Sequence, residues 1–179
     1  MEFAVTGHTK GIGRALFKEL KKRGHIVSGF SRSNNYDISD PIKRQTLIEK
    51  IANKDVFINN AFSSPGQFEL LESFINLWKD DENKMIVHIG SKGIYDQNPP
   101  VELQTYCKEK QKQHDLIRER LFYKGPKILN IIIGLVDTEM STRISRKKIA
   151  TEDLAVLIVD LIKIKDKICC QEIILDPPG

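Results

Sequence analysis

Short apolar runs alternate with longer stretches of 3.6-residue periodicity from one end of the sequence to the other, and no other property restricts the fold as much. The runs lie at residues 3–5, 26–30, 55–58, 85–89, 127–133 and 172–175, each too brief for a helix and rich in β-branched or aromatic side chains. Between them fall helical patterns such as Ile12-Ala15-Leu16-Leu20, Leu70-Leu71-Phe74-Leu77 and Leu154-Leu157-Ile158-Leu161. Gly24 reads as a helix stop, and Asp40-Pro41 and Asn98-Pro99-Pro100 read as helix entries. Strands separated by helices pair in parallel, because the helix carries the chain back to the end from which the next strand starts. The expected architecture is α/β: a doubly wound parallel sheet of six to seven strands with helices on both faces, the seventh a short strand at residues 35–38.

Composition excludes several classes. A chain of 179 residues is one domain, 1–179, large enough to bury about 70% of its unfolded surface without covalent staples. With 40% hydrophobic and 29% charged residues it belongs with ordinary globular chains rather than disordered ones. The net charge of +4 comes from lysines scattered along the chain, so no nucleic-acid partner is expected. No apolar run approaches the ~20 residues that cross a bilayer, and the amino terminus is a strand pattern rather than a cleavable leader. Three cysteines without C-x-x-C spacing read as free thiols, and the expected location is the cytoplasm. The four histidines have no metal-ligand spacing, so no metal is expected.

Ligands of doubly wound sheets bind at the carboxyl ends of the strands. After the first apolar run comes Thr6-Gly7-His8-Thr9-Lys10-Gly11-Ile12-Gly13, which opens straight into an amphipathic helix. Gly7 allows the turn, Gly11 lets backbone approach a pyrophosphate, and Gly13 lets helix and strand pack closely; the helix N-terminus then faces the anion. At the end of the second run, where an acid would hold the 2′-hydroxyl of NAD, stands Arg32 followed by Ser33. An arginine there suits a 2′-phosphate, and with Lys10 nearby NADP(H) is favoured over NAD(H). Tyr106 and Lys110 are four apart in a helical pattern and share a face, so that an ammonium can stabilise a phenolate. Tyr123 and Lys127 repeat the spacing, but Gly125-Pro126 breaks the helix between them.

The spacing T-G-x-x-x-G-x-G, the Tyr106/Lys110 pair and the order of the remaining motifs resemble the short-chain dehydrogenase/reductase family in its non-extended branch, along nearly the whole chain. That resemblance implies a Rossmann-like fold and hydride transfer between a nicotinamide and a small carbonyl or alcohol. Ser91, fifteen residues before Tyr106, is then the group that positions the carbonyl oxygen; Tyr106 is the acid/base, and Lys110 lowers its pKa and grips the nicotinamide ribose. Asn76, within Phe74-Ile75-Asn76-Leu77-Trp78, matches the asparagine of the proton relay. Asn59-Asn60-Ala61 resembles the NNAG element along the cofactor, with Phe62 in place of glycine. Gly134-Leu135-Val136-Asp137-Thr138 resembles PGxVxT, with Val136 and Thr138 at the carboxamide and Ile133 in place of proline. Thr9 and Ile12 in the glycine turn, Ser33 beside Arg32, and Asp37 at the adenine complete the implied cofactor contacts.

Two segments are abbreviated against that pattern. Residues 62–84 leave room for about four helical turns where relatives place an assembly helix, which argues against a tetramer and leaves a homodimer. Residues 139–148 form a short, basic stretch in place of a substrate lid. A dinucleotide-binding sensor or interaction protein that keeps the fold without effective catalysis is the alternative reading.

Overall fold

The computed structural model describes all residues from Met1 to Gly179. Six strands, β1 (Glu2–Thr6), β2 (Ile26–Phe30), β3 (Val56–Asn59), β4 (Met85–Ile89), β5 (Lys127–Ile133) and β6 (Glu172–Leu175), form one sheet. All pair in parallel in the order β2-β1-β3-β4-β5-β6. Five helices connect them: α1 (Gly11–Lys22), α2 (Pro41–Ile51), α3 (Gly66–Leu77), α4 (Val101–Arg120) and α5 (Thr151–Lys163). The chain steps from β1 outward to β2 and then returns past β1 to β3, so the strand order reverses between β1 and β3. In doubly wound sheets ligands bind at the carboxyl ends beside such a reversal. No helix is long and apolar enough to cross a membrane.

Each face of the sheet has its own core. α1 and α5 pack together on one face over Phe3, Val5, Ile58, Val87 and Ile131. On the other, α2, α3 and α4 cover Ala4, Phe57, Ile86 and Ile128, which stand opposite one another in register. One step further toward the carboxyl edge on this second face, the apolar layer gives way to a polar one: Asn59 pairs with His88, His88 with Asn130, and Asn130 with Glu172.

The helix boundaries follow local chemistry. Asp40 caps α2 by accepting from the Ile42 and Lys43 N–H groups, with Pro41 in the first turn. Gly24, at φ +78°, ends α1 in the left-handed region.

Residues 35–38 form no strand, which corrects the expected count of six to seven to six. After Ser31 the chain coils into a 3-10 turn, Arg32–Asn34, in which the Asn34 side chain accepts from Ser31 N–H at 2.7 Å and donates to the Gly29 carbonyl at 2.8 Å. The Ile38 carbonyl then turns inward: it accepts from Arg44 Nη1 at 2.6 Å, and a Cβ on Gly66 would lie 2.0 Å from it. That carbonyl serves the α2–α3 junction, and β2 remains the sheet edge.

Thr6 ties the switch point together. Its hydroxyl donates to the Ile58 carbonyl at 3.2 Å and accepts from the N–H groups of Asn60 and Ala61 at 3.0 and 3.1 Å. Replacing this hydroxyl by an isosteric methyl leaves the Ala61 N–H without its acceptor, at about 1–3 kcal/mol if it stays buried, while the Asn60 N–H keeps the Ile58 carbonyl at 3.1 Å. Thr6→Val is therefore expected to lower the urea midpoint with an unchanged m-value, measured by circular dichroism.

Candidate active site

Three loops converge at the carboxyl edge, from β1, β3 and β5. Gly7 and Gly11 have φ of +71° and +50°, which a side chain would strain. A Cβ on Gly13 would fall 2.3 Å from the Gly7 carbonyl oxygen and 2.6 Å from Asn60 Nδ2. Asn60 Nδ2 in turn donates to the Thr6 carbonyl at 2.9 Å, so the β3 loop braces the glycine turn. From the other side the Thr138 methyl approaches Gly11, 3.3 Å from where a Cβ would stand. The Ser141 hydroxyl holds Thr138 by accepting from its N–H at 3.2 Å, and it donates to the carbonyl of buried Val136 at 2.7 Å. Gly134 is a glycine because the Asp176 carboxylate lies against its Cα, 2.1 Å from where a Cβ would be.

The start of α1 is left uncapped. Lys10 at its N-cap makes no side-chain capping bond, and its first turn holds no acid. Its leading N–H groups and positive dipole end therefore have no carboxylate or hydroxyl from the protein to face. Thr9 is exposed at the turn, and Ile12 is half-buried against the α1–α5 core. The Lys10 ammonium meets Glu139 Oε2 at 2.8 Å, but both side chains are 71% exposed, so the pair holds the groove only weakly. At the tip of β2, Arg32 is exposed with no ion-pair partner, next to exposed Ser33. Asp37 accepts from Ser39 N–H and Oγ at 3.0 and 2.8 Å, which holds its carboxyl below the usual range. These features leave room for a dinucleotide at its pyrophosphate.

Ser91 follows β4 and caps a 3-10 turn, Lys92–Tyr95, its hydroxyl accepting from Gly93 N–H at 3.1 Å. The Tyr106 ring, arriving on α4, comes to the same point as the Ser91 hydroxyl: a Cβ on Gly93 would lie 3.4 Å from Ser91 Oγ and 4.0 Å from the Tyr106 ring. Burial pushes the Tyr106 phenol up from its ordinary value, and the nearby Ser91 side chain opposes part of that rise. One turn further along α4, the Lys110 ammonium lies 5.8 Å from the Tyr106 ring centre. It donates to Gln67 Oε1 at 2.8 Å and to the Ile89 carbonyl at 2.7 Å. With 4% of the residue exposed and no carboxylate in contact, burial brings its pKa from 10.5 to about 7. Phe62 roofs the pair, edge-on to the Tyr106 ring at 4.8 Å and 5.5 Å from the ammonium.

Ser91, Tyr106 and Lys110 are thus brought together, but three expectations change. Asn76 lies on the exposed side of the last turn of α3, about 14 Å along the axis from the first turn at 1.5 Å per residue, at the opposite edge of the sheet. It is not part of the site; α3 runs antiparallel to the strands, so only its first turn reaches the carboxyl edge. Lys110 is turned inward rather than presented to a ribose, because Gln67 and the Ile89 carbonyl satisfy it. Asn59 is wholly buried rather than lying along a groove, its Nδ2 donating to the Gln67 carbonyl at 3.0 Å. Sequence reasoning missed Gln67, whose signal was a polar residue on the continuation of the Leu70-Leu71-Phe74 stripe. The basic stretch lines an open basin of about 550 Å³ with Arg146, Lys147, Lys148 and Asp137.

No protein-family model matches this sequence, and no curated protein does. Solved structures do match. A short-chain dehydrogenase/reductase from Vibrio parahaemolyticus superimposes with a TM-score of 0.81 at 18% identity, covering 100% of both chains. A short chain dehydrogenase from Burkholderia cenocepacia, in complex with NADP, does so with a TM-score of 0.75 at 17% identity over 97% of this chain and 87% of that one. The 3-alpha-hydroxysteroid dehydrogenase from Pseudomonas sp., complexed with NADH, gives 0.71 at 16% identity over 98% and 95%. The chain has the Rossmann-like fold of the short-chain dehydrogenase/reductases.

Burial of Lys110 sets a pH dependence. Between about 7 and 10.5 the unfolded chain carries a proton on this lysine that the folded protein has released. Stability therefore rises with pH across that window. Urea midpoints of the wild type are expected to climb from pH 7 to 9, and Lys110→Met is expected to flatten the climb.

Proposed function

We propose that the protein is an NADP(H)-dependent oxidoreductase that transfers hydride between the nicotinamide and a small carbonyl or alcohol compound. The observation that carries this reading is the convergence of the Ser91 hydroxyl and the Tyr106 ring, two groups from different elements, beside a buried ammonium and next to the strand-order reversal. The bound cofactor supplies the hydride. The free N–H groups of α1 and exposed Arg32 are the protein's contacts for its phosphates, with Lys10 exchanging Glu139 for a phosphate oxygen. The matched dehydrogenases complexed with NADP and with NADH support a nicotinamide dinucleotide, and Arg32 favours the phosphorylated form.

The chain's own residues then handle the proton. Ser91 orients the substrate oxygen through its hydroxyl. Tyr106, kept as a phenol by burial, donates its proton to that oxygen during carbonyl reduction. Lys110, in its protonated form, offsets the charge that develops on the phenol oxygen, and the low-polarity cover of Phe62 strengthens that attraction. The inward turn of Lys110 favours a second reading, a dinucleotide-binding sensor without turnover.

Two measurements decide. NADPH is expected to bind more tightly than NADH by calorimetry, and Arg32→Ala to narrow the difference by about tenfold, as befits loss of one charge-assisted contact; equal affinities would remove the assigned preference. Tyr106→Phe is expected to cut NADPH oxidation over a carbonyl panel by about 10²–10⁴-fold with cofactor affinity retained. Binding without oxidation in the wild type would establish the sensor instead.

A further inference from the structure

We infer that Gln67 is the positioning residue for Lys110: it holds the ammonium beneath Tyr106 and sets how readily that ammonium carries charge. The inference rests on the reading of Tyr106 and Lys110 given above, but its geometry stands by itself. Lys110 Nζ has two partners, Gln67 Oε1 at 2.8 Å and the Ile89 carbonyl at 2.7 Å, and Gln67 is its one side-chain partner. The Gln67 amide cannot turn over. The Asn59 carbonyl only accepts, so Nε2 must donate to it, at 3.0 Å, and Oε1 is left facing the lysine. Asn59 Nδ2 returns a bond to the Gln67 carbonyl at 3.0 Å, and this reciprocal clasp locks the glutamine to the end of β3. Gln67 is wholly buried in the first turn of α3, at the carboxyl edge.

The consequence is electrostatic as well as geometric. Two neutral oxygens satisfy the ammonium without fixing its charge, as a carboxylate would. The titratable groups facing Lys110 are few. Tyr106 precedes it by one turn of α4, and His88 on β4 is kept neutral chiefly by burial, with the Lys110 charge adding to the effect. Glu109 is committed to Lys112 at 2.9 Å, and Cys107 faces Gly93. From α3 and the β3 loop come only Gln67 and Phe62. No acid touches the ammonium, so the glutamine's choice of a neutral acceptor decides the charge.

The test uses the cofactor-free protein with ¹³C-labelled lysine, the Lys110 resonance being identified by its loss in Lys110→Met. Its midpoint is expected near neutral pH in the wild type. Gln67→Glu keeps an oxygen toward Lys110 but makes it anionic, and is expected to move the midpoint up by about one unit or more. The same variant loses the donor to the Asn59 carbonyl and should melt at a lower temperature, so the electrostatic and structural effects are read separately. Gln67→Met, which removes the acceptor, is expected to move the midpoint down. In NADPH-driven turnover, the pH profile of kcat should follow these shifts while KM for the carbonyl compound changes little. Midpoints that stay at the wild-type value in both variants, each folded by circular dichroism, would overturn the inference. If the midpoints shift but no carbonyl is reduced, the oxidoreductase reading fails and the positioning role stands.

Discussion

The site rests on a polar layer that crosses the sheet at one level. Asn59, His88 and Asn130 stand side by side on three strands, directly beyond a row of apolar residues, and a helix must lie over both. Uncovered by partners, such groups would each cost about 1–3 kcal/mol. α4 lays Lys110, Gln113 and His114 over it on its buried face and answers it in part: His114 and Glu172 close the far end of the layer on Asn130 at 3.1 and 2.9 Å, while Asn59 Oδ1, His88 Nε2 and Asn130 Oδ1 keep no side-chain or backbone partner. Sliding α4 by one turn would drop the Lys110 ammonium onto the row of Phe57, Ile86 and Ile128. The layer therefore fixes the register of α4, and with it the place of Tyr106 over Ser91.

The same economy governs the groove. Thr6 and Asn60 occupy their hydrogen-bonding capacity in joining β1 to the β3 loop, and the glycines are the spaces that this junction requires. Because protein side chains brace the turn from outside, the first N–H groups of α1 remain free inside.

Phe62 and the buried lysine belong together physically. An aromatic ring over an ammonium excludes water while its face still attracts the cation, so the lysine is desolvated without being stranded. Desolvation weakens its hold on a proton.

Much of this was legible in the residues. The alternation of periods determined all six strands and their parallel pairing, because each strand and helix buries its own apolar pattern whatever its neighbours do. The glycine turn and the spacing of Tyr106 and Lys110 were equally local. What the sequence could not announce was whatever depended on which element covers which. α4 reads as two separate apolar patches, around Cys107 and around Ile117, since the stretch between them, Lys110 to His114, is polar on its buried side. Only the polar layer beneath makes that stretch a core face. Asn76 matched a motif by its neighbours along the chain, but the direction of α3 carried it to the opposite edge, and Gln67, nine residues earlier, came to the lysine instead. Residues 35–38 had the composition of a strand and lost the role to the α2–α3 junction, which took the Ile38 carbonyl. Periodicity along the chain decides the elements because their hydrogen bonds and apolar stripes are local; the identity of a buried side chain's partner is decided by packing, since its energy exists only once a second element arrives.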